Sequence, residues 1–163
     1  MTPLRSKDKL LRSYESPANS NNKKRAFMSQ QYLDQWHNVV FKRDMKQLSA
    51  ILHDDVEFHS PTLWKPKVGR PVTQYILQMV IEIFEDFQYH RQWVESDGHE
   101  TNMALEFSAK VDGKSIKGID LIRWNEKGQI VHFEVMIRPM NGLQLMFNKM
   151  TEHLQEAGFI PTA

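Results

Sequence analysis

The sequence contains no cysteine among its 163 residues. Disulfide bonds, a thiolate nucleophile and cysteine-ligated zinc are therefore excluded. The absence leaves the redox compartment open, although it fits a reducing one. We expect a cytoplasmic protein. The sequence also lacks a Gly-rich phosphate loop, a Gly-x-Ser-x-Gly turn and a paired-carboxylate motif, so it gives no support for nucleotide or nucleophilic chemistry. No cofactor is predicted.

Long apolar stretches are missing as well. The longest, from Ile76 to Phe84, is interrupted by Gln78 and Glu82 and falls well short of the ~20 apolar residues that cross a bilayer. The formal net charge is only +1, which gives no indication of nucleic-acid binding. We expect neither a membrane protein nor a nucleic-acid partner, and a chain of this length suits a single core plus a tail.

The first part of the chain has few large apolar side chains and many basic ones. Residues 1–27 carry seven Lys or Arg against Asp8 and Glu15, and they lack the apolar segment of a secretory signal. Such a segment cannot bury enough surface to offset the entropy of ordering. The sequence predicts a disordered basic extension over 1–27 and one domain over 28–163, opened by Met28. Recruitment to an anionic surface is a further hypothesis for the extension.

Apolar residues at helical spacing predict three helices in the first half of this domain. The first ends near Arg43, and Asp44 followed by Gln47 has the pattern of a capping box for the second. Pro71 preorganises the start of the third helix, whose wide apolar face extends to Phe84. The third helix is therefore expected to be deeply packed.

Extended segments surround and follow the third helix. A brief strand from Val56 to His59 is expected to stop at Ser60-Pro61, and residues 64–71 are predicted to be an unpaired proline-rich loop. Alternation with period two, broken by short turns, then predicts four strands over 87–96, 101–111, 114–124 and 129–138. Helical spacing returns near the C-terminus. This segregated order predicts an α+β fold with helices on one face of an antiparallel sheet.

Turn chemistry predicts the register of the second and third of these strands. A two-residue turn at Asp112-Gly113 places Leu105 opposite Asp120 and Phe107 opposite Gly118. Directly opposed residues share a face of the sheet. The neighbours of these pairs on the same face are apolar, so this face is expected to lie under the helices.

The next turn predicts the same face on the last strand. If residues 125–128 form a four-residue turn, Ile122 lies opposite Val131 and Asp120 lies opposite Phe133. The two turns agree on one apolar face across three strands. Asp120 is the single ionisable group that they place on it.

Asp120 is the most informative residue in the sequence. A carboxyl group facing a core is costly unless it is paired, hydrogen-bonded or protonated. Gly118, on the same face, is expected to leave an empty volume beside it, and a polar group next to a gap in an apolar surface is typical of a ligand pocket. In the alternative interpretation, Asp120 accepts a hydrogen bond from a histidine, from Tyr75 or from Tyr32 to satisfy the core, or a bulge turns it outward.

Further candidates for the site have weaker signals. His59 ends the short strand, where a histidine can donate or accept a proton or orient a ligand; the alternative is a partly exposed histidine without a role. Trp36 and Trp64 either wall an apolar cavity or belong to the core. The expected pocket lining is completed by Tyr75, Met79, Leu105, Phe107, Gly118 and Phe133.

The remaining histidines show no ligand spacing such as His-x-x-x-His, so no metal site is predicted. The same register assigns four charged residues to the outer face of the sheet, where cross-strand pairing explains them: Glu106, Glu134, Arg123 and Arg138. Between them lies an apolar band formed by Ala104, Ile119, Leu121 and Met136. Such a band predicts a homodimer through the outer sheet face.

Three stretches together resemble the SnoaL-like branch of the nuclear transport factor two-like superfamily. They are Leu52 to Pro61, Gly118 to Trp124, and Lys127 to Ile130 leading to Arg138-Pro139. The resemblance covers about residues 29–150 and implies a cystatin-like cone, in which a curved antiparallel sheet and its helices enclose a cavity. In related polyketide cyclases an aspartate at the place of Asp120 is the acid/base, so the resemblance implies that role here.

The sequence therefore predicts a protein that binds a small apolar or amphipathic molecule in a cavity containing Asp120. For an enzyme, the expected reaction is isomerisation, cyclisation or water addition, with Asp120 as general acid/base and His59 as a donating or orienting group. Burial would raise the pKa of the aspartate toward neutrality. The alternative is a non-catalytic ligand-binding or dimeric assembly module of the same fold.

Overall fold

The computed structural model describes residues 17–161. The elements, in chain order, are α1 (Pro17–Lys42), α2 (Met45–Ile51), β1 (Leu52–His59), β2 (Lys67–Val68), α3 (Arg70–Ile83), β3 (Glu85–Ser96), β4 (Thr101–Val111), β5 (Lys114–Trp124), β6 (Ile130–Arg138) and α4 (Met140–Glu156). Helices segregate from the meander of strands β3 to β6. The predicted α+β class is confirmed.

The strands form one six-stranded sheet in the order β2-β1-β6-β5-β4-β3. Strand β1 pairs with β6 in parallel, and every other pair in this order is antiparallel. The meander therefore closes by returning its last strand to the first one. We call the face of the sheet that the helices cover the inner face.

The first helix begins earlier than the apolar pattern predicts. Residues 17–27 form its first turns, so the expected disordered extension is wrong for them; residues 1–16 lie outside the described part of the chain. The side chains of residues 20–27 are exposed, whereas Met28 packs against the core. Extending an existing helix costs far less than nucleating one, so the packed part of α1 stabilises these polar turns.

The segment before α3 also differs from its prediction. The expected unpaired loop over 64–71 contains β2, whose Lys67 and Val68 pair with Phe58 and Glu57 of β1. Lys67 and Val68 alone form this short edge strand, and Pro66 before it has no N–H group that needs a partner. At the start of α2, Asp44 caps the helix as predicted by accepting a 2.9 Å hydrogen bond from the Gln47 amide.

The register of the meander follows its turns. Asp112 and Gly113 both have positive φ, of 47° and 73°, as a tight two-residue hairpin turn requires. Leu105 lies opposite Asp120 and Phe107 opposite Gly118, so the predicted register of β4 and β5 is confirmed.

The register of β5 and β6 differs from the prediction by two residues. Ile122 faces Phe133 and Asp120 faces Val135, whereas the four-residue turn predicted Val131 and Phe133 for these places. Trp124 pairs with Ile130, so the turn has five residues instead of four, and an irregularity between Arg123 and Trp124 adds the second residue of the shift. A shift by an even number keeps every side chain on its face, so Asp120 remains on the inner face.

The inner face of the sheet carries the core. Fully buried side chains from β4, β5 and β6, such as Leu105, Ile122 and Phe133, pack with Trp36 of α1 and Ile76 of α3. A second cluster around Phe107 packs against α4. Among residues 17–161, no helix combines the length and the apolar character that crossing a membrane requires.

Candidate functional site

A cavity of about 580 Å³ lies between the inner face of the sheet and the helices. This volume is within the range of small-molecule pockets, about 300–1,000 Å³. Its walls include Trp36 and Val40 of α1, Ile76 and Val80 of α3, Phe133 and Val135 of β6, and Met146 and Met150 of α4. The sequence predicted walls from α1, α3 and the sheet; the structure adds α4.

The exposed residues of the lining mark the opening of the cavity. Phe41, Leu63 and Phe147 are each more than a third exposed and lie at its edge, together with the charged Arg43 and Asp86. Apolar side chains that reach solvent around a cavity favour the entry of an apolar molecule. Asp86 already accepts a 2.8 Å hydrogen bond from Lys110, so Arg43 is the charge at the rim that we assign to a polar end of the same molecule.

Asp120 lies in the wall of this cavity and is only 6% exposed. Burial raises the pKa of its carboxyl group from 3.8 to about 7, against a smaller lowering by the hydrogen bond from Tyr89. Near neutral pH the group therefore exists in both its protonated and its ionised form. A carboxyl group with this property can both accept and donate a proton.

Two side chains on other elements hold the Asp120 carboxyl group in place. The Tyr89 hydroxyl of β3 donates a 2.7 Å hydrogen bond to Asp120 Oδ2, and the Trp36 indole of α1 donates a 2.7 Å hydrogen bond to the Tyr89 hydroxyl oxygen. Burial, followed by the neighbouring Asp120 charge, raises the pKa of Tyr89 well above its usual value. Tyr89 therefore stays a neutral donor.

Aromatic contacts fix the Tyr89 ring. His37 stacks on it at 5.5 Å between ring centroids, and Phe87 and Phe41 meet it edge-on at 4.8 and 6.0 Å. The hydroxyl group is thus aimed by packing as well as by its two hydrogen bonds. This rigidity leaves the carboxyl group one preferred orientation.

Sequence reasoning missed Tyr89, because a β-bulge decides which way it points. On β4 only one residue lies between Phe107 and Leu105. On β3 two residues lie between their partners, Tyr89 and Gln92, so β3 contains one extra residue here. Regular alternation from Gln92 would direct His90 inward and Tyr89 outward. The hydroxyl group expected near Asp120 was that of Tyr75 or Tyr32, and no turn residue announces the bulge.

Several predicted lining residues lie at or behind the cavity wall. Trp36 and Phe133 line it, whereas Leu105 and Phe107 are buried in the core clusters. Gly118 does not leave the expected empty volume, because a Cβ atom there would lie 2.4 Å from Cζ of Phe107. The Phe107 ring fills the space that the missing side chain creates.

Three further lining predictions are wrong. Trp64 is 96% exposed, because the loop after β1 carries it into solvent. The Tyr75 hydroxyl donates a 3.1 Å hydrogen bond to the His153 carbonyl of α4, which turns it from the cavity. Met79 is half-buried on α3 but lies outside the lining.

His59 and Asp120 are not brought together. Phe58, its neighbour on β1, lines the cavity, so alternation along the strand places His59 on the outer face. There its Nε2 lies 3.4 Å from Glu57 Oε2, and its ring is 4.5 Å from that of His132. Glu57, His59 and His132 together form a group with metal-ligand atoms within 4.8 Å of one another, a convergence across two strands that the search for helical spacing missed.

Comparison with protein families gives one match. Residues 30–133, more than half of the chain, match the model of a SnoaL-like domain. No curated protein matches the chain.

Comparison with solved structures gives many matches to the same fold. The chain is 43% identical to a steroid delta-isomerase from Pseudomonas aeruginosa, with a TM-score of 0.72 over 81% of this chain and 95% of that chain. An uncharacterized bacterial protein with a cystatin-like fold from Silicibacter pomeroyi is 33% identical, with a TM-score of 0.69 over 78% and 89%. A protein of unknown function from Pseudomonas putida, described as nuclear transport factor two-like, is 13% identical, with a TM-score of 0.58 over 71% and 87%, and shows the fold alone.

Proposed function

The chain belongs to the SnoaL-like domain family, and we propose that it is an acid/base enzyme that isomerises a small apolar ketone. Asp120 is the proton-transfer group. The observation that carries the proposal is a carboxyl group with a pKa of about 7 in the wall of an apolar cavity. The similarity to a protein named as a steroid delta-isomerase supports the choice of reaction.

In the proposed reaction, ionised Asp120 accepts a proton from the carbon between a carbonyl group and a carbon–carbon double bond. The electron pair of the broken C–H bond enters a dienolate. Asp120 then returns the proton to the far carbon of the former double bond, which leaves a conjugated ketone. A pKa near the working pH suits both steps, because the same group acts first as base and then as acid.

Tyr89 and Trp36 orient the carboxyl group in this scheme. The Tyr89 hydroxyl occupies Oδ2 of Asp120, so Oδ1 is the oxygen assigned to the substrate. Among residues 20–161, Tyr89 is the hydrogen-bond partner of this carboxyl group. A single neutral donor steadies the ionised form without lowering its basicity as strongly as a cation would.

The apolar rim and walls define the substrate class. Phe41 and Leu63 at the opening and Val80 and Met146 inside offer contact surface to a hydrocarbon skeleton. We expect a flat, largely apolar ketone with one or two polar ends. A β,γ-unsaturated 3-ketosteroid is the first compound to test.

The test follows the appearance of the conjugated ketone by its ultraviolet absorbance. The full chain should convert the ketosteroid, and Asp120→Asn should lower kcat by about 10³-fold, a typical contribution of general acid/base catalysis. Asp34→Asn, which changes an exposed aspartate of α1, is the matched control and should retain activity. Unchanged turnover in Asp120→Asn would remove the catalytic assignment.

Ligand binding without catalysis is the second candidate function. It is favoured by the position of His59, which leaves Asp120 without the second acid/base group that the sequence predicted. Native mass spectrometry of the purified chain should reveal whether an apolar molecule accompanies it. A bound molecule together with no turnover of any β,γ-unsaturated ketone would support this candidate against the isomerase.

We also propose that the protein is a homodimer through the outer sheet face. Trp93 of β3 and Met136 of β6 lie there and are 50% and 51% exposed, and Leu121 and Ala104 lie between them on the intervening strands. Exposed apolar side chains on a sheet face favour a partner surface of the same kind. Sedimentation should give a dimer that Trp93→Glu dissociates; a wild-type monomer at micromolar concentrations would refute it.

A further inference from the structure

Two histidines and two glutamates form a compact group on the outer face, which we call the His-Glu cluster. Glu57 lies opposite His132 and His59 lies opposite Glu134 in the parallel pairing of β1 with β6. Between them along the strands, Phe58 and Phe133 are buried and their rings are 6.0 Å apart. Because neighbouring residues of a strand alternate, burial of these phenylalanines directs the cluster outward.

We propose that the His-Glu cluster binds a zinc-class divalent metal ion through Glu57, His59 and His132. Imidazole nitrogens together with a carboxylate oxygen are a donor set that Zn²⁺ takes in proteins. Their ligand atoms already lie within 4.8 Å of one another. Three protein ligands leave a further coordination position open to water or to a small molecule.

The distances inside the cluster fit this donor set. A tetrahedral zinc ion with bonds of about 2.0–2.2 Å holds its ligand atoms about 3.3–3.5 Å apart. Oε2 of Glu57 lies 3.4 Å from Nε2 of His59. The three ligand atoms lie within 4.8 Å of one another and the rings of His59 and His132 are 4.5 Å apart, so binding requires these partly exposed side chains to rotate until the third ligand atom approaches to about 3.5 Å.

Glu134 is a positioning residue in this site. Its Oε2 lies 3.4 Å from Nε2 of His132, but it is not one of the three converging ligands. A carboxylate that holds the ring nitrogen not bound to the metal orients a metal-binding histidine and raises its basicity, so in this role Glu134 holds Nε2 and Nδ1 of His132 is the proposed ligand atom.

Charge and access also favour a cation here. Two carboxylates belong to the cluster, and Arg123, which lies opposite His132, has a nitrogen 4.0 Å from Glu100. The side chains of His59 and His132 are 28% and 23% exposed in the single chain, so an ion reaches them from solvent there, at the border of the apolar patch assigned to the dimer, where Leu121 lies opposite Glu134. The ligands stand on paired strands, which fix their spacing better than loops do.

This site is independent of the cavity and of the proposed isomerase. Phe58 and Phe133 separate the two, since both line the cavity from the other face of the same strands. Removal of the metal should therefore leave the environment of Asp120 unchanged. Failure of either proposal has no bearing on the other.

Calorimetric titration of the chelator-treated full chain with zinc chloride tests the site. We expect about one ion per chain at micromolar affinity, and Co²⁺ should give the visible absorption bands of a four-coordinate site. His59→Ala and His132→Ala should each weaken binding by about 100-fold or more, and Glu134→Gln by about 10-fold. Glu57→Gln, which conserves size, should also weaken binding.

His99→Ala is the matched control, because His99 also lies 3.8 Å from a glutamate, Glu126, but belongs to no group of three metal-ligand residues in the described part of the chain. It should bind zinc as the wild type does. Absence of binding at micromolar zinc, or equal binding by the double variant His59→Ala/His132→Ala, would overturn the proposal. The thermal unfolding temperature of the metal-free variants should match that of the metal-free wild type, because the cluster lies on the surface.

Discussion

Asp120 and Glu106 lie on adjacent strands and are almost equally hidden from solvent, at 6% and 8% exposure. Glu106 is opposite Ile119, the neighbour of Asp120 along β5, so the two carboxyl groups point to opposite faces of the sheet. Glu106 accepts hydrogen bonds from Lys117 at 2.7 Å and from Arg91 Nε at 2.8 Å. Asp120 accepts one from the neutral Tyr89.

The difference in partners gives the two groups opposite pKa shifts. Lys117, followed by Arg91, lowers the pKa of Glu106, whereas burial raises the pKa of Asp120 to about 7. Exposure alone therefore does not determine the charge of a hidden carboxyl group; the charge of its donors does. The outer face stabilises the ionised carboxylate of Glu106, whereas the inner face keeps the Asp120 carboxyl group able to gain and lose its proton near neutral pH.

The largest expected effect concerns stability and pH in Asp120→Asn. Folded wild-type protein retains a proton on Asp120 that the unfolded chain releases between about pH 4 and about pH 7, so the contribution of Asp120 to stability is highest below this window and falls across it. At 1.36 kcal/mol per pKa unit, the loss is about 4 kcal/mol. Asn has no such proton, so the stability of the variant relative to the wild type should rise by about that much as the pH increases from about 4 to about 7.

Denaturant unfolding at several pH values measures this difference. Asp34→Asn is the control. Its stability should depend on pH as that of the wild type does, because this aspartate is exposed on α1. A constant difference between Asp120→Asn and the wild type across the range would contradict the raised pKa.

Glu106→Gln should change stability in the opposite direction to Asp120→Asn. The lowered pKa of Glu106 means that its contribution to stability is present above the ordinary pKa and is lost as the pH falls through the folded value. The variant should therefore be less stable than the wild type near neutral pH, and the deficit should shrink in acid. Thermal unfolding as a function of pH provides the measurement; a deficit that grows in acid would contradict the ion-pair assignment.

Tyr89→Phe should alter the reaction more than the fold. The hydrogen bond from Tyr89 lowers the pKa of Asp120, so its loss should move the acid limb of the pH profile of kcat/KM upward. Loss of orientation should also lower kcat by about tenfold. Tyr75→Phe removes a hydroxyl group outside the cavity and is the control, for which an unmoved profile is expected.

Trp36→Phe should have the smallest effect. The indole reaches Asp120 only through the Tyr89 hydroxyl, so its loss should lower kcat by about threefold and move the pH profile in the same direction as Tyr89→Phe does, by less. The pH profile of kcat/KM, measured for both variants under identical conditions, shows which of them has the larger shift. A larger shift in Trp36→Phe would show that the indole contacts the reacting group by another route.

Local turn chemistry explains why the sheet could be predicted. Asp112-Gly113 fixes the pairing of β4 with β5 and with it the face of Asp120. The predicted register of β5 and β6 was wrong by two residues, but an even shift leaves every side chain on the same face of the sheet, so the predicted position of Asp120 did not change. Helix periodicity similarly identified Trp36 as a residue of the inner side.

The rest of the site depends on features that carry no local signal. The bulge that turns Tyr89 inward has no characteristic residue, and the exposure of Trp64 depends on where its loop leaves the sheet. The position of His59 follows from alternation against Phe58 once the cavity face is known. The approach of His59 to His132 requires the parallel pairing of the first and last strands, which are far apart in sequence.

The bulge between Tyr89 and Gln92 has a consequence for the interior chemistry of this architecture. If β3 kept its length but passed this point without the bulge, His90 would lie opposite Phe107 and an imidazole would replace the phenol next to the buried acid; deleting the extra residue would instead keep Tyr89 in place. The extra residue is thus what lets this order of residues present a phenol to the interior of the protein.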